Sequence, residues 1–178
     1  MGKLREKFWF WGGVIPLSIV AFDQLTKAWA IKKFDAPNNI CAINPYPNLQ
    51  IEVSPIFDLA LVCNQGVSFG LFSGSPEITR IVVTLFAAIM CVVLLFWLNK
   101  EKDKLMSWAL ALIIGGAIGN AIDRALYGAV TDFLNFSDIY FKWVFNVADA
   151  AISCGVAGLM IAMFFQAKEE KKSAKSEQ

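Results

Sequence analysis

Four long apolar runs are the feature that most limits how this chain can fold. They cover residues 8–31, 81–98, 105–126 and 145–166. Each is long enough to cross a bilayer as an α-helix. Hydrophobic residues make up 57% of the 178 residues, above the roughly 45–50% that is usual for soluble domains. We therefore predict an all-α membrane protein with four transmembrane helices, in one integral-membrane domain over residues 1–178.

Two segments between these runs, 34–77 and 127–144, are predicted to lie outside the membrane on one side. The first holds five of the six prolines and two β-favouring patches, Leu49–Val53 and Phe57–Cys63. These patches predict a small antiparallel sheet on the membrane surface, together with a short surface helix or loop. In the second segment, apolar and polar residues alternate around Asp132, which we expect on a short strand.

The basic residues predict the orientation of the chain. Three groups precede the first span, separate the second from the third, and follow the fourth: Lys3, Arg5 and Lys7; Lys100, Lys102 and Lys104; Lys168, Lys171, Lys172 and Lys175. The opposite loops hold fewer, namely Lys32, Lys33, Arg80 and Lys142. Because loops rich in Lys and Arg stay in the cytoplasm, both termini are predicted to be cytoplasmic. The charged tail, 167–178, is predicted to be disordered.

Several charged and amide side chains fall near the outer ends of these spans. Asp23 and Lys27 are four residues apart on the first helix, so they share a face and can pair. Polar residues also end the third span and begin the fourth: Asn120, Asp123 and Arg124, then Asn146 and Asp149. Gly115 and Gly119 form a small-xxx-small pair suited to close helix approach. Since ionisable groups within a membrane are costly, this shared level indicates a functional site.

The chain contains no histidine, which excludes Ser-His and Cys-His nucleophiles and all His-based metal sites. Two carboxylates that share a proton can activate water and protonate a leaving amine. A Ser-Lys dyad of Lys27 with Ser68 or Ser153 is disfavoured, because Asp23 would neutralise the lysine. Carboxylate spacing does not support a metal site either, so we expect neither metal nor other cofactor.

Spacing alone does not decide which aspartates pair. Asp123 adjoins Arg124 and could be held by it, whereas Asp132 has no cationic neighbour in the sequence. The four cysteines, Cys41, Cys63, Cys91 and Cys154, show no metal-binding spacing and are expected as small core residues. Cys41 and Cys63 could lie on the oxidising side, but the sequence does not pair them. The net charge of +1, without a basic cluster among aromatics, indicates no nucleic-acid partner.

Five motifs, taken in order, resemble the lipoprotein signal peptidases, also called signal peptidase II. They are DQLTK at Asp23–Lys27, NQGVSF at Asn64–Phe69, GGAIGNAIDR at Gly115–Arg124, VTDF at Val130–Phe133 and FNVADAAI at Phe145–Ile152. The resemblance implies that Asp132 and Asp149 are catalytic. It implies supporting or substrate-contacting roles for Asp23, Lys27, Asn64, Gly66, Asn120, Asp123, Arg124 and Asn146. Thr131 stands where the family usually has a valine, a conservative departure.

The resemblance also implies an enzyme of the bacterial inner (plasma) membrane with its active site at the periplasmic face. Its substrates would be prolipoproteins, which it would cut before a cysteine that already carries diacylglyceryl. Membrane lipids would surround the enzyme. Residues 34–72 would form a cradle or lid over the scissile bond, and we expect a monomer. The alternative is a small transporter or proton relay, which would place its acids near the bilayer midplane instead.

Overall fold

The computed structural model describes residues 9–44, 47, 49–66 and 76–176. Its helices are α1 (Ile15–Lys33), preceded by a π-helical turn at Phe10–Val14, α2 (Ile40–Ile43), α3 (Pro76–Lys100), α4 (Lys104–Tyr127) and α5 (Val147–Ser176). Four segments are long and apolar enough to cross a membrane: Phe10–Lys33, Glu77–Lys100, Lys104–Tyr127 and Val147–Glu169. The predicted four-helix membrane fold is therefore confirmed.

Four strands form one antiparallel sheet in the order β1-β2-β3-β4. They are β1 (Leu49–Ser54), β2 (Phe57–Asn64), β3 (Val130–Phe136) and β4 (Phe141–Phe145). The two β-favouring patches of the first segment do pair with each other, as predicted. The sequence did not predict that the second segment adds two strands to the same sheet, because pairing between distant segments has no local signature.

The boundaries of the last helix differ from the prediction at both ends. Phe145 ends β4, and the helix begins at Val147 rather than at residue 145. At the other end α5 runs to Ser176, so the prediction of a disordered tail over 167–178 is wrong for the described part. Alanine, lysine and glutamate are strong helix formers, and extending an existing helix needs no new nucleation.

Helix α4 lies at the centre of the bundle, where its glycines allow close contact with two neighbours. A Cβ on Gly115 would lie 2.7 Å from Cβ of Ile19, and one on Gly119 would lie 2.7 Å from Oδ2 of Asp23. Both of these contacts are with α1, which confirms the predicted small-xxx-small approach. Gly116 faces α5 instead, where a Cβ would collide with the backbone of Ala148.

Cys41 and Cys63 form a disulfide, a pairing that the sequence left open. The bridge joins α2 to the second-to-last residue of strand β2, and the two Cα atoms are 5.4 Å apart. Cys91 and Cys154 are free, the first buried and the second exposed. The bridge therefore ties the short helix α2 to the sheet.

Candidate active site

The sheet end of the bundle holds a cluster of polar side chains contributed by α1, α4, α5, β2 and β3. Six of the ten residues singled out from the sequence are buried there: Asp23, Lys27, Asn120, Asp123, Asp132 and Asn146. Asn64, Arg124 and Asp149 are partly exposed at its edge, and Gly66 is exposed. Residues 67–69 of the NQGVSF motif, including Ser68, lie outside the described residues.

Lys27 is the cationic centre of this cluster. Its Nζ lies 2.7 Å from Oδ2 of Asp23 and 3.0 Å from Oδ2 of Asp123. It also donates to Oδ1 of Asn120 at 3.2 Å. The predicted pairing of Asp23 with Lys27 is confirmed. The expectation that Arg124 holds Asp123 is wrong, because adjacent helical residues point in different directions and Lys27 takes this place.

The carboxylates of Asp23 and Asp123 also accept hydrogen bonds that the sequence analysis missed. The backbone N–H of Ala148 donates to Oδ1 of Asp23 at 2.9 Å, and that of Thr131 to Oδ2 of Asp123 at 3.1 Å. Gln24 donates from its amide to Oδ1 of Asp123 at 2.8 Å. Its position beside Asp23 in DQLTK was a usable signal, whereas backbone donors leave none in a sequence.

Asn146 and Asp149 form a capping box at the start of α5. Oδ1 of Asn146 accepts from the backbone N–H of Asp149 at 2.9 Å, and Oδ2 of Asp149 accepts from the backbone N–H of Asn146 at 3.3 Å. This reciprocal pattern satisfies two N–H groups of the first turn. It also fixes the Asp149 carboxylate at the positive end of the helix dipole, where a negative charge is stabilised.

Asp132 lies on β3, 1% exposed, and accepts hydrogen bonds on both oxygens. The side-chain amide of Asn146 donates to Oδ1 at 2.6 Å, and that of Asn64 to Oδ2 at 3.1 Å. Burial, followed by the charge of Asp149, raises the pKa of Asp132 from 3.8 to about 7. These effects outweigh the two hydrogen bonds and the attraction of Lys27, which favour the ionised form.

The Asp132 and Asp149 carboxylates are connected through two asparagines. Asn146 donates to Asp132 from its side chain and to Asp149 from its backbone. Asn120 donates to Oδ1 of Asp149 at 2.7 Å and accepts from the amide of Asn146 at 3.2 Å. Because two like charges in one low-dielectric site disfavour double ionisation, this arrangement favours one protonated and one ionised carboxyl.

Arg124 places a second cation at the edge of the carboxylate pair. Its guanidinium interacts electrostatically with Asp149, Asp132 and Asp123. Within the described residues its buried Nε has no hydrogen-bond partner. A Cβ on Gly66 would lie 3.7 Å from Nη2 of Arg124, and Gly66 has a φ of +80°, a conformation that glycine adopts without strain.

The Ser-Lys alternative has little support in this geometry. Lys27 is buried and occupied by two carboxylates, so it has no free lone pair to serve as a base. Ser153 is exposed on α5. The site is instead built from two coupled acids beside a four-stranded sheet, held by four membrane-spanning helices. These features define the class of a membrane-embedded aspartic peptidase.

Comparison with known proteins agrees with this class. The family described as "Signal peptidase (SPase) II" matches residues 15–165, and the chain belongs to this signal peptidase II family. A protein of Rhodopseudomonas palustris named lipoprotein signal peptidase is 40% identical over 83% of this chain and 86% of its own length. One of the same name from Caulobacter vibrioides is 38% identical over 98% of both chains.

Two solved structures, each described as a bacterial membrane enzyme, share the fold. The first has a TM-score of 0.71 at 26% identity and covers 89% of this chain and 90% of its own. The second has a TM-score of 0.68 at 28% identity and covers 85% and 91%. The chain is accordingly a multi-pass bacterial membrane protein.

Proposed function

We propose that this chain is a membrane-embedded aspartic endopeptidase that removes signal peptides from diacylglyceryl-modified prolipoproteins, with Asp132 and Asp149 as its catalytic pair. Family membership and the names of the relatives support the reaction and its substrates. The observation that carries the assignment of residues is the link through Asn146, which donates to both carboxylates. The charge of Asp149 also acts on Asp132 and raises its pKa.

The two acids divide the work of hydrolysis between them. Asp132, with its pKa raised to about 7, carries the proton in the resting enzyme below that pH. Asp149 lies at the N-terminus of α5, which favours its negative charge. Asp149 accepts a proton from the attacking water while Asp132 protonates the departing amine. Because Asp149 is only partly buried, water can reach it without entering the core.

The other polar residues hold this pair in place and contact the substrate. Lys27 compensates two buried carboxylates that are not part of the pair, Asp23 and Asp123, and thereby fixes α1 against α4. Arg124 interacts electrostatically with both acids, and we assign its guanidinium to contact with the substrate. Gly66 lies beside the guanidinium, where a Cβ would be in van der Waals contact with Nη2 of Arg124. We assign Asn64, Asn120 and Asn146 to orientation of the carboxylates.

We infer that the sheet and the active site lie on the outer face, with both termini in the cytoplasm. The distribution of basic residues supports this orientation. The Cys41–Cys63 disulfide supports it too, because disulfides persist in oxidising compartments such as the periplasm. We expect the enzyme to act as a monomer. Nothing favours the transporter alternative, since the acids cluster at the sheet end rather than mid-helix.

The direct test is cleavage of a defined precursor by the purified protein in detergent. We expect the diacylglyceryl-modified precursor to be cut so that mass spectrometry finds the lipidated cysteine at the new N-terminus. The matched control is the same precursor without the lipid, which should remain intact. Equal cleavage of both precursors, or of neither, would contradict the proposed substrate class. A chelator should leave the rate unchanged, and loss that added metal restores would contradict a carboxylate mechanism.

A further inference from the structure

The Cys41–Cys63 disulfide lies next to the carboxylate pair, although no cysteine takes part in the proposed chemistry. Cys63 pairs across the sheet with Thr131, the residue that precedes Asp132. Asn64 follows Cys63 at the end of β2 and donates to Oδ2 of Asp132 at 3.1 Å. Cys63 is therefore adjacent in sequence to the donor, Asn64, and its partner across the sheet, Thr131, is adjacent to the acceptor, Asp132.

Thr131 connects the bridge to the polar cluster. Its hydroxyl lies 3.7 Å from Sγ of Cys41, and since a disulfide sulfur carries no hydrogen, the hydroxyl is the donor. Its backbone carbonyl accepts from the side-chain amide of Asn146 at 3.4 Å. Both half-cystines are buried against Ala129. A movement of the bridge would therefore reach β3 directly, through atoms already in contact.

The end of β2 lies at the margin of the described sheet. The pairing of Asn64 with Val130 is the last in the described ladder, and Asn64 itself is only partly buried. Helix α2 has four residues, Ile40–Ile43, and a helix of that length is not stable alone. Strand ends with few contacts fray. The covalent bond between α2 and Cys63 therefore restrains both elements where each is weakest.

We propose that the Cys41–Cys63 disulfide is a positioning element of the active site: it holds the end of β2 against α2 so that Asn64 keeps its hydrogen bond to Asp132. The inference rests on the proposed function, because it assigns the bridge a role in that same site. A hydrogen bond to the ionised carboxyl favours ionisation. Opening the bridge therefore raises the pKa of Asp132 further and moves the alkaline limit of activity to higher pH.

The experiment measures cleavage of the diacylglyceryl-modified precursor across a pH series with three forms of the enzyme. These are the wild type, the wild type reduced with dithiothreitol, and a Cys41→Ala/Cys63→Ala double variant. Reduction adds two electrons and two protons to the bridge, giving two thiols, while the dithiol becomes a cyclic disulfide. The matched control is Cys154→Ala, which removes an exposed free cysteine.

We expect kcat to fall about tenfold in the reduced and double-variant enzymes, the order of one weakened hydrogen bond to a charged group. KM should change little, and the alkaline limit should rise by about half a pH unit or more. Re-oxidation should restore the wild-type profile, and Cys154→Ala should match the wild type throughout. A role in stability alone would lower the melting temperature without moving the pH limit.

Two results would overturn the inference while the proposed function stands. In the first, thiol labelling shows that the bridge is open, yet the alkaline pH limit and kcat equal those of the untreated wild type. The other is a lower melting temperature with an unmoved pH limit. Should the double variant not fold, the shift must appear in the reduced wild type and reverse on re-oxidation. Wild-type enzyme that does not cleave the precursor would instead contradict the proposed function itself.

Discussion

Asn146 donates its side-chain amide to Oδ1 of Asp132 at 2.6 Å, the shortest hydrogen bond in the described cluster around the two acids. The same residue is the N-cap of α5 and closes a reciprocal pair with Asp149. One asparagine therefore sets the position of a strand carboxylate relative to a helix carboxylate. This arrangement makes the distance between the two acids a property of the fold rather than of flexible side chains.

Asn146→Ala should affect stability through the lost N-cap of α5 and activity through the lost hydrogen bond to Asp132. Losing an N-cap destabilises by about 1 kcal/mol, but the variant also leaves Asp132 with one amide donor fewer. We expect a modest fall in melting temperature and a loss of activity of at least about 100-fold. The matched control is Asn135→Ala, which removes the side chain that accepts from the backbone N–H of Ser137. Equal activity losses in the two variants would contradict the assigned role.

The stability of the protein should depend on pH through Asp132. Its pKa is raised from 3.8 to about 7, so between these values the folded protein holds a proton that the unfolded chain releases. The resulting stabilisation is complete below pH 3.8 and is lost as pH rises to about 7, with a slope of at most about 1.4 kcal/mol per pH unit.

Asp132→Asn removes this titration and provides the comparison. Thermal unfolding in detergent across that pH range should show the wild type losing stability relative to the variant as pH rises. Parallel curves for the two proteins would mean that Asp132 titrates alike in the folded and unfolded states. The raised pKa also predicts that cleavage declines above about pH 7, when the pair loses its shared proton.

Lys27→Met should be strongly destabilising. It leaves Asp23 and Asp123 buried without their common cation, and removing one partner of a buried ion pair costs about 3–5 kcal/mol. We expect a fall of many degrees in melting temperature, which adding Asp23→Asn should partly reverse. The matched control is Lys142→Met, at an exposed position on β4. Equal melting temperatures for Lys27→Met and Lys142→Met would contradict a compensating role for Lys27.

Much of the fold followed from local patterns. The apolar runs predicted the four long helices, and two β-favouring patches predicted the strands β1 and β2. Type and depth indicated the polar residues at the ends of the spans, whereas the choice of Asp132 and Asp149 as the catalytic pair came from the family resemblance. What local patterns do not contain is the pairing of segments far apart in the chain. Two such long-range features are the addition of β3 and β4 to the sheet and the Cys41–Cys63 bond.

The same limit explains the wrong partner for Asp123. The sequence offered Arg124, its neighbour, but the cation that contacts it is Lys27, 96 positions earlier (123 − 27) on another helix. The backbone donors to these carboxylates could not be predicted either, because every residue other than proline carries an N–H group and the sequence does not single any out. Only the turn after α4 brings the N–H of Thr131 back to Asp123, and only helix packing brings that of Ala148 to Asp23.

The measurement that tests the central claim most directly is the cleavage rate of the Asp132→Asn and Asp149→Asn variants on the lipidated precursor. Each keeps the shape of the side chain but removes the ability to exchange a proton, so each should lose at least about 1,000-fold in rate while remaining folded. The matched control is Asp138→Asn, which makes the same change at an exposed position in the short 3-10 turn between β3 and β4. Activity near that of the wild type in either folded variant would contradict a shared proton between Asp132 and Asp149.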